Sequence, residues 1–179
     1  MSIINFGLLF YIYPFYWTFY LIFLVILSPL YFFGEKLLSK KLLIILLGGL
    51  LIGSIYFYLT FLASRLPEYQ ETLTRLQLVF SRSPSEIKTV LPALLVLTLV
   101  GILYRLKAIK INREILFFVA GIISILIVTN QNIITGLKLE FGHYRMLALF
   151  FLVFAVYYLL SQIRLNPKPK FLIVFPVLV

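Results

Sequence analysis

Two polar stretches, residues 64–88 and 130–145, hold most of the side chains whose types and spacing could do chemistry. The second stretch contains the single histidine, His143, and Glu140 lies three residues before it. Histidine titrates near neutral pH, so His143 could act as a general base. The alternative is a histidine that only hydrogen-bonds a lipid headgroup or a loop carbonyl. We take His143 and Glu140 as the candidate catalytic residues.

The spacing of Glu140 and His143 is also the Glu-x-x-His spacing of carboxylate metal sites in helix bundles. Such sites need further carboxylates and usually a second histidine, which this chain lacks, and Gly142 interrupts the helix that would carry them. The chain has no cysteine and no aspartate, so thiolate sites and a Ser-His-Asp arrangement are excluded. It has no phosphate-cradling glycine loop and no dinucleotide fingerprint. We therefore expect neither a metal ion nor a cofactor.

Three arginines in the two stretches could bind a phosphate group. Arg75, Arg82 and Arg145 carry guanidinium groups, which fork onto phosphate oxygens. The alternative is that each arginine only extends to the headgroup layer, as arginines at helix ends commonly do. If the two stretches lie side by side, these residues predict a site for a lipid phosphate.

The elements that must position these residues are membrane-spanning helices. Hydrophobic residues make up 63% of the 179 residues and charged residues 12%, against roughly 45–50% and 25% in soluble domains. The apolar residues form runs long enough to cross a bilayer core of about 30 Å. We predict an all-α polytopic transmembrane bundle with five spanning helices and a partial sixth. The predicted spans are 4–33, 42–63, 84–104, 114–133 and 146–163, followed by 171–179.

The last apolar run, 171–179, is too short to span as a helix, so it is either a re-entrant or interfacial tail or the start of a longer segment. We favour the second and expect the chain to be incomplete at its C-terminus. In the first run, Pro14 is expected to kink the helix or mark its entry into the membrane. In the second run, Gly49 and Gly53 form a small-xxx-small pair that could bind a partner helix.

Residues 64–88 are expected to contain an amphipathic helix that lies in the membrane interface. Its apolar face would carry the helically spaced residues Tyr69, Leu73, Leu76 and Phe80, and Glu71 would pair with Arg75. After it, the sequence Ser83-Pro84-Ser85-Glu86 has the pattern of a capping box, which predicts that the third span begins at Pro84.

Loop charges predict the orientation. The loops 34–41, 105–113 and 164–170 carry three, four and three lysines or arginines, whereas the longer loops 64–88 and 130–145 carry four and two. The positive-inside rule assigns the first set to the cytoplasm. The N-terminus and both polar stretches are then outside. The basic residues lie in short loops facing anionic headgroups, so we expect membrane lipids as partners and no nucleic acid.

The segment LPEYQETLTRLQLVFSRSP, together with the later TNQNIITGLKLEFGHYR, resembles segments of large bacterial polytopic membrane proteins similar to the GT-C class of glycosyltransferases. The resemblance covers about residues 60 to 163. It implies a bacterial plasma-membrane protein that handles a polyprenyl-phosphate-linked sugar at the outer face. Enzymes of that class carry catalytic carboxylates in their first outer loop, near the start of a longer chain. Nothing here matches that loop, so the resemblance implies the later half of such a protein.

Three hypotheses for function remain open at this point. The first is a glycosyltransferase-like membrane protein, or a fragment of one, whose outer loops handle a lipid-linked sugar. The second is a transporter or flippase-like bundle, and the third is a non-catalytic membrane subunit. The sequence leaves open whether the chain is an enzyme.

Overall fold

The computed structural model describes residues 2–12, 14–75, 79–84, 87–138 and 141–162 of the chain. Its helices are α1 Ile3–Ile12, α2 Pro14–Phe32, α3 Lys36–Ala63, α4 Tyr69–Arg75, α5 Ile87–Arg105, α6 Arg113–Asn130, α7 Asn132–Thr135 and α8 Arg145–Gln162. A 3-10 turn covers Phe141–Tyr144, and two short strands, β1 Val79–Phe80 and β2 Leu137–Lys138, complete the described structure. The predicted all-α class is confirmed.

Four helical segments are long and apolar enough to cross a membrane. They are Phe15–Phe32, Lys36–Ala63, Arg113–Thr135 and Gly142–Gln162. Ile3–Ile12 and Val90–Arg105 are shorter apolar helices. The predicted span 84–104 overlaps α5. That α5 crosses the membrane remains a prediction. The predicted partial segment 171–179 lies outside the described residues.

The predicted first span, 4–33, is wrong as a single helix. It is divided between α1, which ends at Ile12, and α2, which begins at Pro14. Proline has no backbone N–H and its ring fixes φ, so it suits the first position of a helix and interrupts the hydrogen-bond ladder of a preceding one. Pro14 therefore marks a helix start, one of the two roles that its position suggested.

The short helix α1 packs in parallel against the middle of α3. Phe6 of α1 lies over Gly49 of α3, and Phe10 lies over Gly53, so the two helices run in the same direction. A Cβ atom added at Gly53 would lie 2.7 Å from Cδ2 of Phe10, closer than real side chains approach. The predicted glycine pair thus packs against a helix of the same chain. Packing of these glycines against a second copy of the protein remains a prediction.

The helix α2 lies at the centre of the bundle, where it packs against α3 and α6. Aromatic rings fill this core: Phe23 meets Phe117 edge to face with centroids 5.3 Å apart, and Phe151 of α8 contacts both rings. Gly121 of α6 leaves the room into which the Phe151 ring fits. The α5 helix adds smaller residues to the same core, including Ala93.

Side-chain hydrogen bonds join the helices at the end of the bundle that holds residues 34–41 and 105–113, here called the basic end. The predicted loop 34–41 is shorter than expected, because α3 already begins at Lys36. The Tyr31 hydroxyl of α2 donates to the carbonyl of Arg113 over 2.9 Å. Asn112 caps α6, and its amide donates to the Tyr158 hydroxyl of α8 over 2.7 Å. Arg113 also forms an ion pair with Glu114. These contacts fix α2, α6 and α8 relative to one another.

The interfacial segment differs from its prediction after the first two turns. The helix α4 ends at Arg75, and Phe80 lies in β1 with 65% of its surface exposed, so Phe80 does not continue the helical face. Tyr69 and Leu73 do lie on α4, while Leu76 is outside the described residues. Val79 and Phe80 form a strand despite the helical spacing of Phe80, because pairing with β2 gives their backbone N–H and C=O groups hydrogen-bond partners.

The predicted start of the third span falls partly on residues outside the described ranges and stays a prediction. The helix α5 is described from Ile87, and Ser83 and Pro84 are not helical. The carbonyl of Ser83 accepts a hydrogen bond from the side chain of Asn132. Glu86, the other half of the predicted capping box, lies outside the described residues.

Candidate functional site

The two polar stretches are in direct contact at the end of the bundle where α3 and α6 end and α8 begins, here called the polar-loop end. The strands β1 and β2 pair in antiparallel fashion, with Val79 opposite Lys138 and Phe80 opposite Leu137. Beyond the strands, the amide of Ser81 donates to the carbonyl of Gly136 over 2.9 Å. This pairing joins the loop after α4 to the loop after α6.

A buried asparagine holds the joined loops together. Asn132 is 1% exposed, and its side-chain amide donates to the carbonyls of Ser81 at 2.9 Å and Ser83 at 2.7 Å. The side-chain amide of asparagine has two N–H donors, and here each is available to one of these two backbone carbonyls. Asn132 therefore fixes the segment that carries Arg82 against the end of α6.

A tight turn places Arg82 over the second loop. Gly136 ends α7 in the left-handed conformation, with φ of 77°, and its amide donates to the carbonyl of Asn132. The Nε of Arg82 lies 3.8 Å from the position that a Cβ at Gly136 would take. Gly136 thus completes a turn at the end of α7, and the arginine side chain passes over that turn.

Other polar side chains of the second loop bond to one another and to backbone carbonyls nearby. The Thr135 hydroxyl donates to the Gln131 amide oxygen over 2.6 Å, and the Gln131 amide donates to the carbonyl of Leu137. Asn130 donates to the carbonyl of Leu126 within α6. These groups shape the loop, which leaves the charged residues as the groups that could bind a ligand.

The histidine is held by the start of α2. The rings of His143 and Phe15 stack with centroids 3.9 Å apart and planes 14° from parallel. Next to it, Tyr144 is fully buried, and its hydroxyl lies 2.8 Å from that of Thr18. Sequence reasoning did not include Phe15 or Thr18. The sequence around Pro14, FYIYPFYWTFY, is densely aromatic, which indicates a membrane interface but no particular contact.

The three arginines have different surroundings. Arg75 forms the predicted ion pair with Glu71 on the exposed side of α4, so its charge is partly balanced. Arg82 lies over the turn at Gly136, and Arg145 is exposed at the first position of α8. Arg82 therefore lies in the joined loops, and Arg145 follows the second of these loops at the start of α8.

The remaining candidate, Glu140, lies outside the described residues, so its distance to His143 is not part of the described geometry. Among the ranges that the structure describes, no three His, Cys, Asp or Glu side chains come close enough to hold a metal ion. The chemistry that the described residues offer is therefore that of guanidinium groups, an imidazole and hydroxyl groups at a membrane surface.

No protein-family model, curated protein or solved structure matches this chain.

Proposed function

We propose that this chain is an integral membrane protein whose joined polar loops bind the phosphate of a membrane lipid. The observation that carries the proposal is the junction itself, in which β1 pairs with β2 and Asn132 bonds the carbonyls on both sides of Arg82. Because these bonds hold the backbone around Arg82, binding there costs less backbone conformational entropy than binding to a free loop would. Arg82 is therefore the first candidate for the phosphate ligand.

Arg145 is the second candidate. It is exposed at the first position of α8, directly after the buried Tyr144, so its backbone is fixed while its side chain is accessible. Charge-assisted hydrogen bonds to phosphate contribute about 1.5–3 kcal/mol each where water is excluded. Arg75 is a weaker ligand in this proposal, because it would first have to leave Glu71.

The specific form of the proposal is a glycosyltransferase-like protein that handles a polyprenyl-phosphate-linked sugar, supported by the resemblance of residues 60 to 163. Transfer would form a bond between an acceptor oxygen and C1 of the sugar and break the bond between C1 and the phosphate. His143 would take the proton of the acceptor hydroxyl, and the polyprenyl phosphate would leave. Stacking on Phe15 supports this role, because it holds the imidazole in one orientation.

The division between α1 and α2 favours a second candidate, a transporter or flippase-like bundle. The ten residues of α1 extend about 15 Å, half of a bilayer core, and the helix packs in parallel against the middle of α3. Discontinuous helices of this kind are typical of transporters, in which they line the substrate site. Such a protein would move the bound lipid between leaflets without breaking a bond in it.

The proposal is tested by measuring the binding of a polyprenyl phosphate to the purified protein. We expect Arg82→Ala and Arg145→Ala each to weaken binding about tenfold or more, because each removes a charge-assisted hydrogen bond. The matched control is Arg105→Ala, which removes an exposed arginine from the last turn of α5 at the basic end and should bind like the native protein. Equal binding by all three variants would contradict the phosphate site.

The two candidate functions separate in liposomes that contain a polyprenyl-phosphate-linked sugar. Release of polyprenyl phosphate with an acceptor present supports glycosyl transfer, and His143→Ala should then abolish release while binding persists. Movement of the intact lipid to the other leaflet supports the transporter. Binding without either activity indicates a non-catalytic membrane subunit.

A further inference from the structure

A second polar feature lies beside α4, away from the joined loops. A cleft of about 250 Å³ opens between the last turn of α3 and α4. Its apolar lining includes Ala63, Leu66 and Leu73, and its polar lining includes Thr60 and Glu68. Leu73 is only 8% exposed, although most of α4 is exposed, so the apolar side of α4 faces this space.

Glu68 is the single acidic residue that lines the cleft. Within the described part of the chain, the neighbouring carboxylate of Glu71 pairs with Arg75, whereas Glu68 has no ion-pair partner. A carboxylate beside an apolar surface favours a ligand that carries a cation and an apolar portion. At the same helix end, the guanidinium of Arg65 lies 4.5 Å from the centroid of the Phe61 ring and supplies a positive charge.

The position of the cleft identifies the class of ligand. Ala63 is the last residue of α3, the longest apolar helix, and α3 keeps large apolar side chains exposed along its length. In a membrane those side chains contact lipid acyl chains, and the cleft at the helix end then lies at the depth of the headgroups. A lipid whose chains lie along α3 would bring its headgroup into the cleft.

We propose that this cleft binds the ammonium headgroup of phosphatidylethanolamine. The Glu68 carboxylate accepts hydrogen bonds from the ammonium group, and the lipid phosphate lies toward Arg65. A primary ammonium group has three N–H donors, whereas the quaternary group of phosphatidylcholine has none and phosphatidylglycerol carries no headgroup cation. The geometry therefore selects phosphatidylethanolamine among common lipids of equal chain length.

The test is retention of lipids by the purified full chain in native mass spectrometry. Phosphatidylethanolamine, phosphatidylcholine and phosphatidylglycerol with identical acyl chains are offered one at a time. We expect the native protein to retain phosphatidylethanolamine in preference to the other two, and Glu68→Gln to reduce that retention about tenfold. The matched control is Glu71→Gln, which neutralises a carboxylate three residues away that does not line the cleft.

The result that overturns the proposal is equal retention of phosphatidylethanolamine by the native protein and Glu68→Gln. Equal retention of phosphatidylcholine and phosphatidylethanolamine by the native protein also overturns it. Circular dichroism of Glu68→Gln verifies that helix content is unchanged, and Glu68→Asp, which keeps the charge, should retain more of the lipid than Glu68→Gln. Arg82→Ala should leave the preference for phosphatidylethanolamine over phosphatidylcholine unchanged, because both lipids carry the phosphate that the joined loops would bind. The cleft and the joined loops are therefore tested separately.

Discussion

The His143 ring lies face to face with Phe15, and it is the only imidazole in the chain. Its NMR signal therefore needs no assignment by elimination. Because protons above the face of an aromatic ring are shielded, we expect the His143 ring protons upfield of an exposed histidine. In Phe15→Leu they should move downfield toward the position for a free side chain.

The control for this measurement is Phe10→Leu, because Phe10 is a buried ring of α1 that packs against Trp17 and Phe57. It should leave the His143 signal in place. A native signal already at the position of an exposed histidine would show that the stack with Phe15 is absent in the membrane-embedded protein. His143 would then lack the fixed orientation on which its proposed role as a base depends.

At the residue scale, the sequence predicted which polar residues belong together but not how they are joined. The turn at Gly136 and the ion pair of Glu71 with Arg75 are local patterns, readable from neighbouring residues. The bonds from Asn132 to the loop before α5 connect residues about fifty positions apart. Secondary-structure propensity and residue spacing do not predict such a contact, because any buried hydrogen-bond donor near the loop could bond the same carbonyls.

At the scale of elements, the packing of α1 on α3 depends on the absence of a side chain at Gly53. Because a Cβ there would already lie 2.7 Å from Phe10, Gly53→Leu should separate the two helices. Overpacking of this kind typically costs about 1–3 kcal/mol. We expect a lower midpoint of thermal unfolding for the purified variant, by several degrees.

Gly101→Leu in α5 is the matched control, since nothing lies within 4 Å of a Cβ at Gly101. The same residue change should leave the unfolding midpoint close to the native value. A midpoint for Gly53→Leu that equals that of Gly101→Leu would contradict the close approach of α1 to α3.

The helices that the sequence predicted best are those bounded by charged or turn-forming residues. The predicted span 146–163 lies within one residue of α8, which follows Gly142 and begins at Arg145. The predicted span 42–63 starts six residues after α3 does, because that helix continues through Lys36, Lys40 and Lys41. The run 4–33 has no such boundary. When almost every position is apolar, hydrophobic periodicity cannot distinguish one helix from two, and Pro14 alone signalled the division.

At the scale of the whole molecule, the polar loops and the basic loops lie at opposite ends of the bundle, and which end faces the cytoplasm stays a prediction. Because the chain has no cysteine, single cysteines can be introduced without background. With the polar-loop end outside, cysteines at the exposed positions Ser64 and Ser83 should react with an impermeant thiol reagent on intact cells. Cysteines at Lys40 and Lys110 should react only after the membrane is permeabilised.

The opposite labelling pattern would place the polar-loop end in the cytoplasm and exclude a substrate presented at the outer face. Lys40 is a better probe than its neighbour Ser39, which is 5% exposed and bonds to Ser28, so a modified side chain at Ser39 would report burial as well as sidedness.

The unequal lengths of the helices have a consequence for the surrounding bilayer. In α3, residues 42–63 form an uncharged stretch of about 33 Å at 1.5 Å per residue, whereas the 19 residues of α2 extend about 28 Å. Either α3 tilts, or the lipids beside it stretch, to bring its ends level with those of α2. Both responses cost free energy that depends on bilayer thickness, so the thickness of a membrane biases where the protein resides.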